Sequence, residues 1–288
     1  MTKTYYRQRR ETPDTSLSIQ QYDNLRRLFE DKGWPIDEDT EISVFKRYYY
    51  TLRSLTREQQ DFLIELSSRF IHVTQADYIN NLVPPLKKLR EKYDGESFYF
   101  LPVRTKENKG KCTSTLTVLY LLRGTTMRTI LNLGAHSVVE DDELLKKCLP
   151  KKKPYKLVLV DDFVGSGQTV VEALDFLKSN IQEDLPQNNI KVVCLVAMQE
   201  GINRLNQEGI EVYSNHICER GISDYYTGEK LERAQAIMES IENSIKRLEE
   251  EFRFGYHRSE ALVCMERCPN NTFPIYWKQP QIAPYERG

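Results

Sequence analysis

The sequence predicts an α/β fold: an open, mostly parallel sheet, preceded by an N-terminal helical region and carrying a long helix near its C-terminus. Three observations carry that expectation. The runs "KLVLV" and "KVVCLVAM" are short and nearly continuous in apolar residues, as strands covered on both faces are. The helical pattern "TVVEALDFLK" separates these strand candidates and "EGINRLNQEG" follows the second, and strands alternating with helices form parallel sheets. Up to about Tyr93, by contrast, the apolar period is helical.

The first residues, "MTKTYYRQRRETPDTS", lack the apolar core of a signal peptide, and no later apolar run approaches the roughly 18 residues of a membrane span. A cytoplasmic location without a membrane partner is the expectation. In "LTREQQDFLIELSSRF", Thr56 is expected to cap a helix with Gln59 reaching back, while Phe62, Leu63, Leu66 and Phe70 recur at helical spacing. Tyr48, Tyr49 and Tyr50 lie in a similar segment and are read as core or interface rather than a base-stacking platform. Residues 1–95 are therefore assigned to the helical region and 96–288 to the α/β domain.

From Ser97 the period changes. "SFYFLPV" reads as a strand, "RTKENKGKC" as a polar loop, and "TSTLTVLYLLR" as a helix ending near Gly124. "PKKKP" breaks the chain before the strand Leu157 to Val160. After the strand "IEVYSNHI", the stripe Leu231, Ile237, Ile241, Ile245, Leu248 and Phe252 predicts a helix over about 228–253, for packing or homo-oligomer contact. "EALVCMERC" then reads as a strand and "PNNTFPIYW" as a turn.

Lys and Arg number 41 against 42 Asp and Glu, so no global field draws the chain to nucleic acid, and any anionic ligand must be held locally. Six dispersed cysteines read as free thiols in a reducing compartment. His216 with Cys218, and Cys264 with Cys268, raise a zinc question, but neither pair has Cys-x2-Cys spacing. Buried or half-buried thiols are the expectation.

The chemistry concentrates in "KLVLVDDFVGSGQTVVEALDFLK", Lys156 to Lys178. Ligands of open parallel sheets sit beyond the carboxyl ends of the strands, where Asp161 and Asp162 fall. A helix beginning near Gln168 points its unpaired N–H groups and positive dipole end at the same crevice, which suits a phosphate. Gly165 and Gly167 admit close backbone approach, and the hydroxyls of Ser166 and Thr169 add donors. Two carboxylates would repel that phosphate, so they are read as serving vicinal ribose hydroxyls or hydrated Mg2+. A phosphorylated ribose meets all three demands. The alternatives fail on specific residues: no Gly-x4-Gly-Lys-Ser/Thr string occurs, Val170 stands where a dinucleotide fingerprint needs its third glycine, and Val164 and Gln168 replace the glycines of a nucleophile elbow.

Four apolar residues, two acids, a turn, then Ser-Gly-x-Thr and a helix resemble the phosphoribosyl-diphosphate (PRPP) motif of type I phosphoribosyltransferases. The resemblance implies that Asp161 and Asp162 bind the ribose hydroxyls, with Mg2+ at the same pair, and that Gly165, Ser166, Gly167, Gln168 and Thr169 hold the 5′-phosphate. "YHRSEALVCMERCPNNTFPIYW", with the N-terminal helical region, looks like the PRTase-CE group of bacterial conflict and retron-type defence systems, which implies a protein partner from a defence operon. Asn270 and Asn271 are then candidates to line an acceptor pocket, although Pro269 to Thr272 also suit a plain turn.

Established members hold pyrophosphate in a short loop after an earlier strand. The corresponding loop here is Arg104 to Cys112, where Arg104, Lys106, Lys109, Lys111 and the amide of Gly110 could neutralise pyrophosphate or, equally, form a solvated surface loop. His216 is the best-placed histidine for an acceptor pocket, though a structural role is the simpler reading; Arg220 beside it is read as ligand contact or as the partner of a nearby acid. Three functions follow: a Mg2+-dependent phosphoribosyltransferase, a non-catalytic PRPP or nucleotide sensor controlling a protein partner, and an interaction protein with a vestigial pocket.

Overall fold

Residues 17–40, 42–108, 113–134, 136–140, 142–149, 154–181, 185–279 and 282–287 are described by the computed structural model. In chain order the elements are α1 (Ile19–Lys32), α2 (Val44–Arg53), α3 (Arg57–Ser67), β1 (Ile71–His72), α4 (Tyr78–Lys92), β2 (Ser97–Pro102), α5 (Ser114–Arg123), α6 (Thr125–Leu131), α7 (Asp142–Cys148), β3 (Tyr155–Val160), β4 (Phe163–Val164), α8 (Gln168–Ile181), β5 (Ile190–Met198), α9 (Gln199–Gln207), β6 (Glu211–Cys218), α10 (Glu229–Asn243) and β7 (Val263–Cys264).

The main sheet is parallel throughout its described pairings. Strand β2 pairs β3 over its full length, and β3 pairs the first half of β5. Strand β4 takes up the same edge of β5 further along, while β6 runs along the opposite edge. Thus β3 and β4 are one strand interrupted at Asp161 and Asp162. Register survives the interruption, with Val160 opposite Val193 and Phe163 opposite Val196.

Alternation along these strands sorts their side chains between two cores. Val158, Val160, Val193 and Leu195 pack with α4, α5 and α6, whereas Leu157, Leu159, Val192 and Cys194 pack with α7, α8 and α9. Both faces are covered, which explains why β5 is buried at every position.

A third core joins α1, α2 and α3 to α10 and the C-terminal segment, with Phe29, Tyr48, Phe70, Tyr276 and Tyr285 among its buried rings. Packing therefore does not follow a cut at residue 95. Helix α4 lies on the sheet, while residues beyond α10 complete the N-terminal helical core. Strand β1, within a stretch expected to be wholly helical, pairs in parallel with β7 and ties these two ends of the chain together.

The expected capping box at α3 forms, with Gln59 N–H donating to Thr56 and the Gln59 side chain accepting from Thr56 N–H. The helix expected over 228–253 ends instead at Asn243. Ser244 caps it through a hydroxyl bond to the Ile241 carbonyl, and Arg247 then takes a left-handed φ of 56° that no helix can continue through. Its apolar stripe still packs on the helical core, with Ile241 and Ile245 buried and Leu231, Ile237, Leu248 and Phe252 half-buried against it. Only Val263 and Cys264 of the last expected strand are paired as a strand. Cys194, Cys218, Cys264 and Cys268 are buried and Cys148 is half-buried. Among the described residues no helix is long and apolar enough to cross a membrane.

Candidate functional site

The phosphate-type loop folds as its residues demand. Helix α8 starts at Gln168, Gly167 takes a left-handed φ of 77°, and the Ser166 hydroxyl accepts from Gln168 N–H at 3.4 Å. Two close packings shape it. A Cβ on Gly165 would lie 2.7 Å from the Asn271 amide nitrogen, and a Cβ on Gly201, in α9, would lie 2.1 Å from the Gly165 carbonyl oxygen. At Gly167 a Cβ would point at Leu205 and Gly201, so this glycine serves the packing on α9 as well as the turn.

A cavity of about 280 Å3 opens on this loop. Asp161 and residues Gly165 to Thr169 line it, and so do Tyr256, Asn270 and Asn271, from a segment about a hundred residues away along the chain. Its donors are the Ser166 and Thr169 hydroxyls, the Asn270 carboxamide and the N–H groups of the helix end beyond Gln168. Glu172 also reaches it, but its carboxylate accepts from Gln168 Nε2 at 2.6 Å, and Arg204 binds the other end of that amide.

The two acids part company. Asp161 is half-buried and lines the cavity; its Oδ1 accepts from Asp162 N–H at 2.8 Å. Burial, then the adjacent Asp162 carboxylate, holds its carboxyl well above the usual carboxylate range. Asp162 is only 5% exposed and continues the strand face of Val158 and Val160, beneath α4 and α5. There its Oδ2 accepts from the Tyr78 hydroxyl at 3.0 Å and its Oδ1 from the Ser114 hydroxyl at 2.7 Å. Burial and the facing carboxylate raise the Tyr78 phenol far above its ordinary value, so it remains the donor. The two acids expected to serve one ligand are engaged differently: Asp161 lines the cavity, while both oxygens of Asp162 accept from interior hydroxyls. Tyr78 and Ser114 escaped the sequence reading. A buried acid implies donors, yet nothing local identifies them.

The other candidates fall in several places. Arg104 is half-buried and Lys106 exposed, on a loop leaving β2 beside the end of β3, where Val103 N–H still bonds the Val160 carbonyl. Lys109, Gly110 and Lys111 lie outside the described residues. The loop returns at Ser114, so its far end is tied to Asp162. His216 is not among the residues lining the cavity; its Nε2 bonds Asn81 of α4 at 2.7 Å, and burial lowers its pKa. Arg220 grips Asp224 through Nε and Nη2 at 3.1 and 3.0 Å and lines a different hollow, with Arg69 and Tyr225. Among the described residues no three His, Cys, Asp or Glu side chains gather in a metal-holding group.

The PRTase-CE family model matches residues 36–285. A uracil phosphoribosyltransferase of Metamycoplasma hominis is 23% identical over 175 residues, covering 57% of this chain and 78% of that protein. Among solved structures, an orotate phosphoribosyltransferase from Aeropyrum pernix aligns with a TM-score of 0.29 and 15% identity, over 47% of this chain and 68% of that one. The APRTase from Giardia lamblia, complexed with 9-deazaadenine, aligns with a TM-score of 0.30 and 13% identity, over 48% and 79%.

Proposed function

Because the chain belongs to the PRTase-CE family, we propose that it binds PRPP at the cavity on the α8 loop and transfers the phosphoribosyl group to an acceptor, releasing pyrophosphate. One observation carries this reading: a single cavity gathers Asp161, the loop Gly165 to Thr169, and Asn270 and Asn271. The loop and helix end supply donors for the 5′-phosphate, and Asp161 supplies an acceptor for a ribose hydroxyl. In the reaction the bond from C1 to the pyrophosphate oxygen breaks and a bond from C1 to the acceptor forms. Positive charge develops on the ribose, and positioning lowers the barrier. Arg104 and Lys106, on the loop after β2, would then stabilise the negative charge on the departing pyrophosphate.

With Asp162 engaged by Tyr78 and Ser114, the donor set offers a metal one carboxyl group, Asp161, which the cation's charge would hold ionised. That fits Mg2+, which is commonly held by one or two carboxylates together with substrate phosphates. When bound, Mg2+ neutralises charge on the pyrophosphate, and Asp161 would be its protein ligand.

The same engagement of Asp162 favours a second reading, in which the protein senses PRPP without turning it over. Calorimetric titration with PRPP and Mg2+, followed by measurement of pyrophosphate with a panel of bases including uracil, separates the two. Binding that Asp161→Asn weakens about tenfold or more, with pyrophosphate release, is the expected result. Tight binding with no release from any acceptor leaves the sensor, and equal affinity in the variant removes Asp161 from the ribose.

A further inference from the structure

The segment that carries Tyr256 is an unusual piece of backbone. Of the non-glycine residues with left-handed φ among those described, four fall within seven positions: Phe254, His257, Arg258 and Glu260, at 57°, 56°, 55° and 51°. Such angles are unfavourable for residues bearing a Cβ and persist only where surroundings impose them. Here they do. Glu260, 1% exposed, accepts from Ile222 N–H, Ser223 N–H and the Ser223 hydroxyl at 2.5 to 2.9 Å. Glu242, fully buried, accepts from Phe254 N–H at 2.9 Å. Gly255, between them, sits so close to the Asn271 carbonyl that a Cβ would lie 1.9 Å from it.

This hook holds one side chain at the cavity. Tyr256 N–H donates to the Asn270 carbonyl at 2.8 Å, so hook and turn are locked together and present Tyr256 and Asn270 opposite the α8 loop. Both residues are half-buried, and among the described residues neither the Tyr256 hydroxyl nor the Asn270 carboxamide has a hydrogen-bond partner. Asn271 differs, since its amide is already spent on Ser259 at 3.1 Å. A neutral phenol and a carboxamide can donate to an anion without adding charge that would compete for it elsewhere.

We propose that Tyr256 and Asn270 are phosphate-recognition residues: the Tyr256 hydroxyl and the Asn270 amide donate to the 5′-phosphate of a sugar phosphate seated on the loop Gly165 to Thr169. The strained hook pre-organises these donors, so the C-terminal segment completes a phosphate site that the sheet only begins. The proposal rests on the reading of this cavity as a ribose-phosphate site.

Calorimetric titration of the full chain with ribose 5-phosphate tests it, using wild type, Tyr256→Phe and Asn270→Ala. Phenylalanine keeps the ring and removes only the hydroxyl. Each variant is expected to bind about tenfold more weakly, as for one lost hydrogen bond to a charged group, while its urea midpoint stays at the wild-type value. Wild type that binds with unchanged affinity in both variants overturns the proposal and leaves the site reading standing. Weaker binding accompanied by a lowered urea midpoint shows a merely structural role and also overturns it. Wild type that fails to bind ribose 5-phosphate overturns the site reading itself, and the proposal with it.

Discussion

The Tyr78 hydroxyl, at the first turn of α4, donates a 3.0 Å hydrogen bond to Oδ2 of Asp162, at the break between β3 and β4. The same hydroxyl accepts from Glu266 N–H at 3.3 Å, so one phenol joins α4, the sheet and the C-terminal segment. Asp162 is buried, and its other oxygen is taken by Ser114. Replacing Tyr78 by Phe deprives a buried carboxylate of a donor and is expected to cost about 1–3 kcal/mol. The urea midpoint and slope of the variant against wild type measure it. An unchanged midpoint would mean that Asp162 draws nothing from this bond.

Two glycines around the α8 loop should respond differently to the same added methyl group. In Gly165→Ala the new Cβ meets the Asn271 side chain, which can turn aside; in Gly201→Ala it meets the Gly165 carbonyl, which cannot move without the loop. Gly201→Ala is therefore expected to destabilise the protein by about 1–3 kcal/mol and Gly165→Ala by less than about 1 kcal/mol. Gly165→Ala should nonetheless weaken binding of ribose 5-phosphate by displacing Asn271 from the cavity wall. Parallel thermal unfolding and titration decide; a larger loss of stability at Gly165 would reverse the assignment of the rigid contact.

Burial pushes the Glu242 carboxyl up to about 7, against 4.5 for an unhindered glutamate. The folded state then holds a proton over that interval which the unfolded chain has released, so stability falls as pH rises from about 4.5 to about 7 and is level above it. Glu242→Gln cannot ionise and should lose this dependence. Urea midpoints at pH 5 and pH 8 are expected to differ by less in the variant than in wild type, with the variant relatively more stable at pH 8. Equal pH dependence in both proteins would remove Glu242 as its source. Since Glu242 accepts from Phe254 N–H, hydrogen exchange at that amide reports the same event locally.

Most of the sheet was legible because its signals are local. The apolar runs became β3 and β5, the helix after the glycine loop began at Gln168 as expected, and Thr56 capped with Gln59. The position of Asp161 at a strand end beside a small-residue loop follows from the same short-range chemistry. The fate of Asp162 was half legible: the alternation of Val158 and Val160, carried two residues further, leads to the face they share. That it meets Tyr78 and Ser114 there depends on which helices cover the face, and no neighbour in sequence records this.

What the sequence determined by itself was period, capping and turn chemistry, each settled by residues within a few positions of one another. Tertiary structure alone decided that residues beyond α10 fold back onto the N-terminal helices, that after the turn Phe254 N–H meets the buried Glu242, and that Tyr256, Asn270 and Asn271 face the α8 loop. Those contacts join segments far apart in the chain, and their formation depends on burying three cores at once, a condition that belongs to the whole chain and to no local stretch of it.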